Sequence, residues 1–452
     1  MASFEQFGLK KALRNSIADL GFDIPTPIQE KSFSVILSGK DMLGIAQTGT
    51  GKTLGYMLPI LDELTFSKQK NPRVLIMVPT RELVIQVVQQ IEMYAKYMTV
   101  RVKGVYGGVN MNTQAASLLD GQDIIVATPG RLYDLVLNNA LSLKGVKKLV
   151  IDEVDVMLDL GFRRQLVNIF DLLPKRRQNI MFSATMTEHV DEMIDNYFIV
   201  PTKISVAVSG TPLENIQQTS YSVENFHTKI NLLKHLLQDA NTFRKTLVFT
   251  DSKRMADRVF AELEEVFGEE MGIIHSNKTQ NYRMRSIEEF DSGKNRILIS
   301  TDVISRGLDL EQISHVISFD TPNFPENYMH RIGRTGRAEE QGRSILFSTE
   351  KELKYKGEIE ELMNYVVPVL DFPTEVAISK ELLPEEMPEE DREKNPDRNL
   401  KKPTELAPGF HEKKAKNKKV NLGGSYKRKK EKKYKKPQTR GDKTYHKRQK
   451  RG

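Results

Sequence analysis

The sequence predicts an α/β chain of two parallel-sheet domains in tandem. Three observations carry that expectation. Short apolar runs of strand length alternate with stretches of helical periodicity, the pattern of a parallel sheet covered by helices on both faces. The alternation stops over residues 201–213, a polar segment with Gly and Pro but no periodicity, and then starts again. A glycine-rich turn, Ala46-Gln47-Thr48-Gly49-Thr50-Gly51-Lys52-Thr53, joins the first apolar run to a helix-compatible run. The expected organisation is a first domain over 1–200, a linker over 201–213, a second domain over 214–370 and a disordered extension over 371–452.

Taken in order, Leu9, Leu13, Ile17 and Leu20 recur at helical spacing, and Gly21 stops that helix. Phe22-Asp23-Ile24-Pro25-Thr26-Pro27-Ile28-Gln29 follows, with its prolines fixing an extended path. The segment holds an aromatic face, Phe22, and an amide, Gln29, which can pair with the ring nitrogen and amino group of adenine. A surface loop with a buried Phe would look the same in isolation. After the strand over 42–45, Gly49 and Gly51 let consecutive N–H groups turn toward an anion. The helix that follows offers its positive end to the same anion. Lys52 would then reach β- and γ-phosphates, and the Thr53 hydroxyl would ligate Mg²⁺. Further strand-like runs lie at 74–78, 102–106, 124–127, 149–151 and 180–182. A helix over 81–95 carries Val84, Val87, Val88 and Ile91 on one stripe.

Ligands of such sheets sit beyond the carboxyl ends of the strands. The polar motifs fall there: Pro79-Thr80-Arg81-Glu82, Gly107-Gly108, Thr128-Pro129-Gly130-Arg131, Asp152-Glu153-Val154-Asp155 and Ser183-Ala184-Thr185. Asp152 can hold Mg²⁺, and Glu153 can orient and deprotonate an attacking water. An acidic helix start is the plainer alternative for the same four residues.

Beyond the linker, strand-like runs lie at 246–249, 272–274, 296–299, 315–318 and 344–347. No second phosphate loop accompanies them. The chain instead has Ser300-Thr301-Asp302-Val303-Ile304-Ser305-Arg306-Gly307-Leu308-Asp309 and His330-Arg331-Ile332-Gly333-Arg334-Thr335-Gly336-Arg337. Guanidinium forks next to glycines suit phosphate oxygens, and such arginines could complete an active site held by the other domain.

The chain has no cysteine, which excludes a disulfide scaffold and a thiolate metal site. It shows neither a signal-peptide core nor an 18-residue apolar run, so a soluble, cytoplasmic protein is expected. Residues 411–452 hold 19 Lys/Arg against 3 Asp/Glu. That balance of +16, out of +8 for the whole chain, leaves −8 on residues 1–410. An acidic body with a basic tail, its lysines interleaved with Tyr426, Tyr434 and Tyr445, suits a polyanion with unpaired bases. A solvated tail or a targeting signal has the same composition.

With these motifs in this order, the chain resembles a DEAD-box ATP-dependent RNA helicase of bacterial type, over roughly residues 4–370. The resemblance implies two RecA-like domains and an ATPase that acts on RNA with Mg²⁺. Phe22, Gln29, Thr48, Gly49, Thr50, Gly51, Lys52, Thr53 and Asp309 would bind the nucleotide, with Phe4 an upstream aromatic of the same motif. Thr53 and Asp152 would bind the metal. Glu153, Lys52, Arg334 and Arg337 would carry catalysis, the two arginines as fingers. Asp155, Ser183, Thr185 and His330 would couple hydrolysis to unwinding. Pro79, Thr80, Arg81, Gly107, Gly108, Thr128, Arg131, Gln280, Arg283 and Thr301 would touch RNA. The family's name motif has Ala where this chain has Val154, and Ser276 and Asn277 also depart from its pattern. The implied protein is a monomer with RNA, or a ribosomal or other RNA–protein complex, as partner and no membrane. A clamp that grips RNA without unwinding and a DNA-directed translocase are the competing readings.

The tail yields a test. Deletion of residues 411–452 is expected to weaken RNA binding and flatten its dependence on salt, with ATP turnover preserved at saturating RNA. Affinity measured across a salt series checks it.

Overall fold

The computed structural model describes residues 3–46, 49–206, 215–302, 310, 312–336 and 341–387. Seven strands form the first sheet: β1 Met42–Ile45, β2 Val74–Met77, β3 Val102–Val105, β4 Ile124–Ala127, β5 Lys148–Ile151, β6 Gln178–Ser183 and β7 Thr202–Ser205. Their order is β3-β4-β2-β5-β6-β1-β7, and every pair is parallel. Six strands form the second sheet: β8 Ile216–Ser222, β9 Thr246–Thr250, β10 Met271–Ile274, β11 Ile297–Thr301, β12 His315–Ser318 and β13 Gly342–Ser348. Their order is β10-β11-β9-β12-β13-β8, again parallel throughout.

Parallel strands need a crossover between them, and helices supply it on both faces. Period-two alternation then divides each strand between two cores. In β2, Val74 and Ile76 join one apolar cluster with Val84, Val87 and Ile91, while Leu75 and Met77 join the other with Leu132 and Met157. The second sheet repeats this, with Val248 on one face and Leu247 and Phe249 on the other.

Three readings from sequence change here. Thr202–Ser205, placed in the linker, is a strand paired with β1, and of that segment only residues 207–213 lie outside the described residues. The stretch from 371 is packed as far as Leu383: Val376 is buried, and Phe372 and Leu383 rest on the second domain's core. Asn231 and Asn225 donate to the Ala377 and Ser379 carbonyls at 2.8 and 2.6 Å. Pro27, taken as part of an extended path, instead opens the helix Pro27–Leu37, because at the first helical position its missing N–H costs nothing.

Gly44 of β1 lies against the Phe182 ring of β6, where an added Cβ would meet ring carbons at 2.5 Å. Gly44→Ala is expected to destabilise the first domain by about 1–3 kcal/mol. Urea unfolding of the full chain, followed by a probe in residues 1–200, measures it.

Candidate nucleotide and nucleic-acid site

The phosphate loop leaves β1 beside β6. The Ala46 N–H donates to the Ser183 carbonyl at 3.0 Å, so the loop and Ser183-Ala184-Thr185 start side by side. Gly49 and Gly51 have φ of 80° and 81°, a region that a side chain disfavours. An added Cβ on Gly51 would also lie 2.3 Å from Gln29 Nε2. Lys52 opens the helix Lys52–Glu63 and is buried.

The segment with Gln29 is bolted onto this loop. Gln29 Nε2 donates to the Gly51 carbonyl at 3.1 Å, and Thr26 Oγ1 donates to the Thr50 carbonyl at 2.9 Å. Gln29 Oε1 accepts from the Thr26 N–H at 2.9 Å, in a capping box. The amide thus ties the chain to itself, with one N–H and one lone pair left over. Phe22 stands 41% exposed, a free aromatic face, whereas Phe4 is buried against Phe7.

β5 ends in the acidic motif. Asp152 Oδ1 lies 3.6 Å from Lys52 Nζ, and neither atom has a hydrogen-bond partner. Glu153 adopts φ 56°, ψ 52°, a left-handed conformation that costs a non-glycine residue about 1–2 kcal/mol. It is 4% exposed, and its Oε2 is buried without a partner. Burial raises its pKa against the opposing pull of Lys52 and Arg334. Val154 is fully buried in the apolar cluster behind the motif, so its two extra methyls face core.

Asp155 is the most heavily bonded of the three acids. Its Oδ2 accepts from the Ala184 N–H at 3.0 Å, the Thr185 N–H at 2.9 Å and the Thr185 hydroxyl at 3.1 Å. Its Oδ1 accepts from the Val156 N–H at 3.0 Å. His330 Nε2, from the second domain, approaches Oδ2 to 3.7 Å. Burial works to raise the Asp155 pKa, but His330, Lys52 and these N–H donors outweigh it, and the pKa falls below the usual carboxylate value. Ser183 turns its hydroxyl onto the Thr185 carbonyl at 2.6 Å. Arg334 is buried, and its Nε donates to the His330 carbonyl at 3.2 Å.

A second cluster lies at the ends of β2, β3 and β4. Thr80 caps the helix Arg81–Tyr94 by accepting from the Leu83 N–H at 3.3 Å. The Arg81 guanidinium lies against Gly107-Gly108, so close that an added Cβ on Gly108 would sit 1.9 Å from Arg81 Nη1. Arg131 donates to Gln114 Oε1 at 2.7 Å and to the Val109 carbonyl at 2.9 Å, pinning the same turn. Pro79 precedes this cluster at the end of β2, and Thr128 precedes the helix Pro129–Leu137.

From the second domain, Gln280 Nε2 donates to Glu82 Oε1 at 2.9 Å, and Arg283 Nη2 reaches the same oxygen at 2.6 Å. Glu82 was legible as a motif residue but was given no role, because nothing in the sequence marks its partner 198 residues away. Thr301 ends β11 and is buried; Asp302 beside it receives a bidentate pair from Arg331 at 2.6 and 2.8 Å. Thr48, Asp309 and Arg337 lie outside the described residues.

Residues 26–193 match the family model for DEAD/DEAH box helicases, and residues 228–339 match the helicase conserved C-terminal domain. The DEAD-box ATP-dependent RNA helicase CshA of Bacillus cereus is 37% identical over 374 residues, 83% of this chain and 70% of that protein. Among solved structures, S. cerevisiae Dbp5 bound to RNA and ADP BeF3 is similar with a TM-score of 0.75 at 26% identity, covering 83% of this chain and 96% of that one. The DEAD-box helicase Mss116 bound to ssRNA and UDP-BeF is similar with a TM-score of 0.75 at 27% identity, covering 83% of this chain and 81% of that one.

Glu82 provides the test of contact between the domains. Glu82→Ala strands the buried Arg283 guanidinium. It is expected to lower ATP turnover at subsaturating RNA about tenfold or more, with little further loss on adding Arg283→Ala. Steady-state turnover of the two single variants and the double variant measures this coupling. With a nucleotide loop, an acidic motif and a cross-domain histidine assembled in one cleft, and both family models matched in order, this chain belongs to the DEAD-box ATP-dependent RNA helicases.

Proposed function

We propose that the chain hydrolyses ATP in the cleft between its two domains and uses closure of that cleft to separate short RNA duplexes or remodel RNA–protein complexes. One observation carries this reading: His330 of the second domain faces Asp155, and Asp155 holds the backbone of Ala184 and Thr185. A change at the nucleotide is thereby linked both to the segment that follows β6 and to a histidine of the second domain.

In this reading Phe22 stacks on the base, and Gln29 offers it the remaining amide valences. The backbone of Thr48, Gly49, Thr50 and Gly51 cradles the phosphates, and Asp309 meets the ribose. Glu153 positions and deprotonates water; its raised pKa makes it a better base than an exposed carboxylate. Lys52, Arg334 and Arg337 stabilise charge that develops on the transferred phosphoryl group. Asp152 and Thr53 are the residues that would hold Mg²⁺. The buried Asp152 Oδ1, which faces Lys52 but accepts no hydrogen bond, fits that role. A lone carboxylate with a hydroxyl suits an ion that completes its shell with water and phosphate. Bound there, it would neutralise charge on the β- and γ-oxygens.

Pro79, Thr80, Arg81, Gly107, Gly108, Thr128 and Arg131 form the first-domain track for an RNA backbone, and Thr301 adds a contact from the second. Gln280 and Arg283 act on RNA indirectly in this reading, by fixing Glu82 and hence the helix that carries Arg81. ATP and RNA both favour the closed form, so each tightens the other's binding. Among the described residues no helix is long and apolar enough to cross a membrane. A cytoplasmic location fits an RNA substrate.

Glu153→Gln is expected to leave ATP binding nearly intact and to lower turnover about 10²–10⁴-fold. Nucleotide binding and RNA-stimulated phosphate release, measured together, check this; near-normal turnover would remove Glu153 from its role. Release of a short labelled strand from RNA, with DNA as control, separates unwinding from gripping.

A further inference from the structure

We propose that the second domain carries a separate anion site for a phosphate-bearing ligand, at the sheet edge opposite the nucleotide cleft. All six strands of that sheet are parallel, so their amino-terminal ends share one edge. Four chain segments meet there around a cavity of about 720 Å³. They are residues 241–245 before β9, 291–293 after the helix Gln280–Asp291, 312–315 at the start of β12, and 341–343 at the start of β13.

The cavity's charge is unbalanced. Among the described residues, Arg244, Lys245 and Arg343 line it against a single acid, Asp291. Lys245 Nζ pairs with Asp291 Oδ1 at 3.1 Å, so these two neutralise each other. Arg244 and Arg343 are exposed, and among the described residues neither guanidinium has an ion pair or hydrogen bond. Both bear on one group, the buried His315 ring, whose pKa is lowered to about 4 by burial first and then by these two guanidiniums. Asp239 opposes them, and it is already occupied by the Asn241 and Thr242 N–H groups at 3.1 Å each. Glu311, Glu339 and Glu340, neighbours of the lining in sequence, lie outside the described residues.

Two uncommitted guanidinium forks beside a neutral imidazole form a receptor for a multiply charged anion. The rest of the described lining is mostly hydroxyls and amides, including Thr242, Ser292 and Ser314, with Ile313 the sole aliphatic side chain among the described residues. Phosphate oxygens take such donors directly, whereas a docking peptide would need apolar pockets for its anchors. The volume accommodates a ligand of nucleotide size. Because the cleft residues sit at the other ends of the strands, occupancy here does not compete with ATP.

The test uses the full chain with its histidine rings isotopically labelled and a non-hydrolysable ATP analogue at saturation, so that the cleft is filled. Inorganic pyrophosphate is titrated at constant ionic strength, and the His315 ring resonance, assigned by its loss in His315→Gln, is followed by NMR. A saturable shift is expected, weakened about tenfold or more in the Arg244→Gln/Arg343→Gln double variant. Both side chains are exposed, so the thermal transition of that variant should match the parent. A parallel titration with a hydroxyl-ended RNA trinucleotide identifies the source: saturation by the trinucleotide points to an RNA backbone, and saturation by pyrophosphate alone to a free phosphate ligand. No saturable shift, a shift equal in the double variant, or saturation by hexaglutamate alone would overturn the proposal.

Discussion

The rest of the cleft depends on one buried carboxylate. Asp155 sits out of water and would be driven to neutrality by burial alone. It remains an anion because four protein donors and the facing His330 favour the charge. Three of those donors belong to Ala184 and Thr185, and the histidine belongs to the other domain. A buried charge cannot lose a partner cheaply. Displacing His330 or the Ala184-Thr185 backbone therefore has a cost felt at the acidic motif, and a change at the motif is felt by both.

The three acids of the motif occupy different environments although they span only four positions. Asp155 is pulled down by donors and cations, whereas Glu153 is pushed up by burial and retains a partnerless oxygen. Asp152 faces Lys52 through Oδ1 at 3.6 Å, and that oxygen accepts no hydrogen bond. The left-handed turn at Glu153 produces the separation, because it takes the chain from the end of β5 into the next helix across only two residues, Asp152 and Glu153. Carboxylates whose environments diverge in this way can serve different chemical roles. Val154 contributes by facing away: its bulk is absorbed by the core behind the motif, and the polar face stays clear.

Much of this was legible from residues. Central strands such as Ile124–Ala127 and Val74–Met77 are buried on both faces, so they read as plain apolar runs. The edge strands Thr202–Ser205 and Ile216–Ser222 were missed, since a polar edge strand has the composition of a loop. The phosphate loop and the acidic motif announce themselves by local order. Glu82 could not, because its meaning depends on Gln280 and Arg283, which only the fold brings near. Gln29 is a milder case: its amide was legible as a hydrogen-bonding group, but its attachment to Gly51 was not.

Contact between the domains follows from the strand order. β2 and β5 are neighbours in the first sheet, and their carboxyl ends carry Glu82 and Asp155 respectively. The second domain meets Glu82 through Gln280 and Arg283, and meets Asp155 through His330. A single polar contact between two bodies leaves a pivot, whereas two contacts on different elements restrict their relative rotation. Both acceptors are buried carboxylates, so both contacts are costly to leave half-made. The pairing therefore favours a clasped arrangement with both contacts formed or an open one with neither. A nucleotide bound at Lys52 and a ligand strand over Arg81 would each bias that choice from its own side.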